Sequence, residues 1–228
     1  METTLREGDI SFTFQGKAVK FDETGFYREK FLKMPGGKGV DFLSAPSTDG
    51  VLILEVKDCR GDEKNNMWRV VPNNKYKKDA PNYQNVKERD SLDIEVVQKV
   101  VSTISCLYGE WATVQASGRS SIDLNEVEAY CCGLWEEMQS GSLFRTSKRL
   151  RVILFLEGEF GSDSTIKFPQ RRTKKGIKQD LRKSIQEKLS WLPCVVDVVD
   201  SATYKSSSGY TMELHSHRTQ KSVSGGAP

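Results

Sequence analysis

The run Val51-Leu52-Ile53-Leu54-Glu55-Val56-Lys57 constrains the fold of this chain more than any other feature. It follows Gly39-Val40-Asp41-Phe42-Leu43 across Ala45-Pro46-Ser47-Thr48-Asp49-Gly50, a turn-rich segment. Side chains alternate faces along a strand, so Leu52, Leu54 and Val56 cover one face, and Val51, Ile53, Glu55 and Lys57 share the other. The second face begins apolar and ends ionic. A buried strand that ends this way must pair its charges or bind something with them. Folding the two segments into an antiparallel hairpin brings Asp41, Glu55 and Lys57 to one end.

Two carboxylates and an ammonium have a chemical use. Magnesium takes one or two protein carboxylates and completes its octahedron with water and substrate phosphates. A bound divalent ion polarises a phosphodiester and lowers the pKa of attacking water, and a nearby lysine stabilises the developing charge.

Asp41 followed by Glu55-Val56-Lys57 at the end of the next strand resembles the signature of the PD-(D/E)xK nuclease superfamily, which includes type II restriction enzymes and archaeal Holliday-junction resolvases. The resemblance runs from about Phe21 to Cys59, with Val40 in the place of the family's proline. It implies Asp41 and Glu55 as ligands of Mg²⁺ or Mn²⁺, the Val56 carbonyl as a further ligand and Lys57 as the catalytic lysine. Members often add an acid from the helix ahead of the first motif strand. Glu29, in Phe26-Tyr27-Arg28-Glu29-Lys30-Phe31-Leu32, is the candidate, and Glu23 the alternative.

Composition bounds the rest. A length of 228 residues with 37% hydrophobic and 29% charged residues fits a soluble globular protein of one large domain. No run approaches the ~20 apolar residues of a membrane helix, and Met1 to Glu7 does not read as a signal peptide. Five cysteines without Cys-x-x-Cys spacing suit a reducing, cytoplasmic setting. Cys131 and Cys132, adjacent on a helix, read as one core and one surface thiol. The tail pair His215 and His217 lacks partners at ligand spacing and reads as solvent-exposed. With no other histidine in the chain, the sequence argues against serine–histidine triads.

Along the chain, Ile10–Phe14 and Ala18–Phe21 flank Gln15-Gly16-Lys17 and read as a hairpin. A short helix spans about 24–33 and stops at Pro35-Gly36-Gly37. From 58 to 90 no period is sustained, which predicts a long irregular insertion. Its Trp68, Arg69, Lys75, Tyr76, Lys77, Lys78 and Tyr83 suit phosphate contact and base stacking, or else decorate a mobile polar loop. Asp90 or Ser91 caps a helix striped by Leu92, Val96, Val100 and Ile104. Asp123-Leu124-Asn125-Glu126 starts a second helix, on which Asp123, Glu126, Glu128, Glu136 and Glu137 read as a solvated face. Leu150–Leu156 is a central strand, Ile177, Leu181, Ile185 and Leu189 stripe a third helix, and Cys194–Val199 is the last strand. Residues 206–228 form a polar, flexible tail.

These elements predict an α/β or α+β fold over 1–205, restriction-endonuclease-like, with a mixed central sheet flanked by helices on both faces. The net charge of +3 is small, but Lys167–Lys188 sets nine cations against two acids, a local balance of +7. Arg171, Arg172, Lys174, Lys175 and Lys178, beside a helix start, are therefore candidate phosphate contacts; the alternative is a solvated helix face. The sequence thus points to a Mg²⁺-dependent nuclease acting on nucleic acid, DNA in the first place. Such an enzyme would act as a homodimer or as a subunit of a larger nuclease complex. A catalytically silent nucleic-acid-binding or assembly subunit of the same fold is the alternative, and metal-dependent chemistry on another substrate is the third reading.

Overall fold

The computed structural model describes residues 2–45, 50–119, 121–139, 150–160, 173–206 and 209–215. Two sheets organise them. The larger has five strands in the order β3 (Ala18–Lys20), β4 (Phe42–Ser44), β5 (Leu52–Asp58), β6 (Leu150–Glu157) and β7 (Cys194–Val199). β3, β4 and β5 run antiparallel in sequence, whereas β5, β6 and β7 are mutually parallel. The fold is therefore α+β with a mixed sheet, as the sequence predicts, and β6 is its buried inner strand.

The β4–β5 hairpin has the expected alternation. Its register pairs Phe42 with Leu54 and Leu43 with Ile53. Val51 and Ile53 join the core under the helices, while Leu52, Leu54 and Val56 join a second core on the opposite face. Three helices cover the first face: α3 (Leu92–Ser117), α4 (Glu126–Gln139) and α5 (Lys174–Lys188). Their apolar stripes are those read from the sequence, with Leu92, Val96 and Val100 of α3 and Ile177, Leu181 and Ile185 of α5 all buried. Ser91 takes the N-cap position of α3. Asn125 starts α4 as a reciprocal capping box: its Oδ1 accepts from the Glu128 amide at 2.9 Å, and the Glu128 carboxylate accepts from the Asn125 amide at 3.2 Å.

The second face corrects the expected helices on both sides. It is covered by a three-stranded antiparallel sheet, β1 (Glu2–Glu7), β2 (Ile10–Gln15) and β8 (Tyr210–Leu214). Ile10, Phe12 and Phe14 of β2 pack on Phe42, Leu54, Ile153 and Phe155, with Phe12 and Phe155 rings edge-to-face at 5.1 Å. β2 therefore does not pair with the Ala18 strand. It pairs with β1, a strand whose polar, half-exposed alternation hides it in the sequence, while β3 pairs with β4. The start of the expected tail is corrected too, and 216–228 lie outside the described residues. Thr211 to Leu214 look polar because β8 buries one end only, through Tyr210, yet the strand bonds to β2 along five residue pairs.

Three further readings change. Residues 58–90 are ordered into short turns that include α1 (Glu63–Asn66) and α2 (Tyr83–Val86). They close on a small core of Trp68, Ala80 and Val86, backed by Tyr76 and Tyr83. Trp68 is therefore a core residue rather than a stacking platform. Glu128 is not solvated but takes Lys30 at 2.8 Å, beside Glu110. Both Cys131 and Cys132 are buried.

Candidate functional site

The predicted convergence forms at the helix-covered face of the hairpin. One step beyond the β4–β5 ladder, Asp41 comes opposite Glu55, and Asp41 Oδ2 accepts the Val56 amide at 2.6 Å. Val56 thus meets Asp41 through its amide N–H, whereas its carbonyl, the third proposed ligand, belongs to the next peptide. Glu55 is completely buried. Its Oε1 receives Lys57 Nζ at 2.8 Å and Lys99 Nζ at 2.7 Å, while its Oε2 has no hydrogen-bond partner.

Helix α3 supplies what sequence reasoning missed. Glu95, Lys99 and Thr103 stand one turn apart on a single line of the helix. Lys99 bridges the two strand carboxylates, lying 3.4 Å from Asp41 Oδ1 as well as against Glu55. Glu95 takes Lys57 on one oxygen at 3.0 Å and the buried guanidinium of Arg69 on the other. Thr103 Oγ1 accepts the Val40 amide at 3.2 Å and so holds the backbone just ahead of Asp41. This line runs beside the apolar stripe, and in sequence it is indistinguishable from the solvated edge of an amphipathic helix. Arg69 falls in the segment whose sequence predicts an irregular insertion, and there it is buried next to Trp68.

The charges are strongly perturbed. Burial pushes the Glu55 carboxyl up to about 7, helped by the negative Asp41 and opposed by Lys57 and Lys99. Burial also penalises the Lys57 and Lys99 ammoniums, but the carboxylates around them raise both, Lys57 well above the usual lysine value. Glu95 goes the other way: burial raises it, yet Lys57 and Arg69 outweigh burial and bring it down to about 2.

The two candidates for an additional acid both face away from burial. Glu29 is exposed on a π-helical turn, Tyr27–Phe31, and Glu23 pairs with Lys20 at 2.8 Å. The carboxylate coupled to the site is Asp22, whose Oδ1 is buried without a partner. Burial, then repulsion from Asp41, raises it to about 6.

The donor set fits a hard divalent cation in chemistry: two carboxylates from neighbouring strands, one with an unsatisfied buried oxygen, beside a peptide group. Lys99 Nζ stands between them as a cation. Among the described residues no three acidic, histidine or cysteine side chains converge tightly enough to hold an ion unaided. An ion there would be held by Asp41 and Glu55, would need water or substrate oxygens for the remainder, and would require Lys99 to withdraw.

The proposed phosphate contacts fare unevenly. Arg171 and Arg172 lie outside the described residues. Lys178 is buried and committed to Asp200 at 2.8 Å and Thr203 at 2.9 Å. Lys174 pairs with Glu159 and Asp200, both at 3.2 Å. Only Lys175 of the described set is exposed.

The ionic centre lies mid-strand on β5, where Glu55 aligns with Leu154 of β6, on the sheet face that α3 covers. The chain belongs to DUF6661, a family of unknown function, whose model matches residues 24–209. No curated protein and no solved structure matches it. The matched span holds the hairpin, the helices and the parallel strands; β1, β2, β3 and β8 lie outside it.

Proposed function

We propose that the protein is a metal-dependent nuclease that hydrolyses phosphodiester bonds of nucleic acid, DNA in the first place. The observation that carries this reading is Glu55. It is a fully buried carboxylate, aligned with Asp41 across the hairpin, with one oxygen that no protein group satisfies. Leaving such an oxygen unmatched costs about 1–3 kcal/mol or more, and a bound cation would remove that cost. Asp41 and Glu55 would hold Mg²⁺ or Mn²⁺, and the ion would polarise the phosphate and acidify water. Lys57, anchored between Glu55 and Glu95, is placed to stabilise negative charge that develops beside the carboxylates. Arg69 fixes Glu95 and thereby the position of Lys57.

The test is incubation of the purified protein with single- and double-stranded DNA and RNA, with Mg²⁺ or Mn²⁺ and with chelator. Cleavage that needs the metal and disappears in Glu55→Gln and Asp41→Asn is the expected result. Metal-independent cleavage, or wild-type rates in either variant, would sink the assignment.

A second reading has its own observation. Asp41, Glu55 and Glu95 are balanced by Lys57, Lys99 and Arg69, so the centre is electrically closed without any ion. That balance suits a silent fold kept for binding or assembly. Failure of Mn²⁺ to bind in calorimetry, with no cleavage of any substrate, would favour it.

A further inference from the structure

A second charged feature lies beside β7, the last strand of the large sheet among the described residues. A cleft of about 560 Å³ opens between α5 and β7, lined by Arg151, Lys175, Lys178, Arg182 and Lys205, with Asp197 as its one lining acid. Ile153, Val198, Val199 and Tyr210 give it an apolar and aromatic wall, and Gln179 and Thr203 complete the lining. Tyr204 stacks on Tyr210 at 6.1 Å between ring centroids, which thickens that wall.

The cations differ in their commitments. Lys178 is neutralised by Asp200. Asp197 is shared between Arg151 at 3.4 Å and Arg182 at 4.0 Å, both long for a charged hydrogen bond. Lys175 and Lys205 are exposed, and neither pairs with a carboxylate among the described residues. The cleft is therefore cationic overall. With Lys178 offset by Asp200, four cations facing one lining acid in a concave site attract an anion and focus its potential.

Volume and lining narrow the ligand. About 560 Å³ lies within the usual range for small-molecule sites and is too small for a duplex. Guanidiniums suit phosphate oxygens, and an apolar wall with a stacked tyrosine pair suits a base or sugar. We propose that this cleft binds a nucleoside phosphate, presented either as a free nucleotide or as the phosphorylated end of a nucleic-acid strand. The inference deepens the nuclease reading, but it does not use the carboxylate centre. Glu55 aligns with Leu154, and Leu154 with Val198 in the cleft wall. Two strand spacings, roughly 10 Å, thus separate the two sites at the same level of the sheet.

The experiment is run in chelator, so that cleavage plays no part. The wild-type protein is titrated with adenosine monophosphate, and with short single strands carrying either a 5′-phosphate or a 5′-hydroxyl. The same titrations are made with Lys175→Ala/Lys205→Ala, whose exposed positions leave the core intact, and with Glu55→Gln as a control. Mononucleotide binding that weakens at least roughly tenfold in the double variant, and is unchanged in Glu55→Gln, supports the free-nucleotide form. No mononucleotide binding, but a preference for the phosphorylated strand that the double variant loses, supports the strand-end form. Absence of both, or equal binding by wild type and double variant, overturns the proposal. Cleavage activity could still be present in that case, so the two readings fail separately.

Discussion

Glu55 commits one oxygen to two ammoniums and leaves the other bare, and its acid–base behaviour follows from that position. Its carboxyl is raised to about 7 in the fold, against 4.5 in an unfolded chain. The folded state therefore holds the proton more tightly. The contribution of that proton is full below pH 4.5 and is lost as pH rises towards 7. In chelator, the stability of wild type relative to Glu55→Gln should fall across this window, by at most about 1.4 kcal/mol per pH unit, and level off above 7. Denaturant titrations at pH 5, 6, 7 and 8 check it; a difference that grows with pH would contradict the assignment. On the proposed metal reading the same ionisation would control metal uptake, so Mn²⁺ affinity should climb with pH through this range. Lys99 gives a second expectation. If its ammonium occupies the place of an ion, Lys99→Met should tighten Mn²⁺ binding at least tenfold, because a unit charge at ~4 Å is worth on the order of 4 kcal/mol near a protein surface. Weaker binding in calorimetry would instead make Lys99 the group that positions the two carboxylates.

Between elements, the helices are tied to one another by buried polar links as well as by apolar stripes. Asp93 in the first turn of α3 is fully buried and takes Lys188 at the end of α5 at 2.8 Å. It also takes Ser184 at 2.8 Å and the Asn73 amide at 3.1 Å. Three segments meet on that carboxylate: α3, α5 and the turn where Asn73 and Asn74 adopt positive φ. Asp93→Ala strands Lys188 and the amide, and should cost about 3–5 kcal/mol in chemical denaturation. A loss under about 1 kcal/mol would show that the link is dispensable. The apolar half of this arrangement was readable, because Leu92, Val96, Val100, Leu181 and Ile185 recur with helical spacing. The polar half was not. Asp93, Glu95 and Lys99 have the composition of a helix surface, and only the packing of a sheet and a second helix against α3 makes them interior.

Across the whole molecule, the two faces of the large sheet have separate tasks. The ionic centre lies under α3, whereas β1, β2 and β8 seal the opposite face with Phe12, Phe14 and Tyr210. Phe12→Ala should therefore lower stability by about 3–5 kcal/mol while leaving Mn²⁺ affinity unchanged at temperatures where the variant is folded. Thermal melts and calorimetry on one preparation test both halves of that statement. Loss of metal affinity in a folded variant would mean that the small sheet helps to shape the centre through β5.

What the sequence by itself determined was local. Strand alternation gave the hairpin, its two faces and the meeting of Asp41 with Glu55 and Lys57, since one backbone ladder fixes all three. Helical period gave α3, α4 and α5 and their buried stripes. Tertiary structure decided everything that depends on distant partners. β2 left its neighbour for β1 and β8 because a fully buried aromatic face needs a layer to cover it, and that layer comes from both ends of the chain. β8 was hidden by its own polarity, since an edge strand buries little. Glu95, Lys99, Arg69 and Asp22 joined the site for the same reason: a charge in a sequence does not show what will lie opposite it, and burial, which sets its energy, belongs to the packed layers.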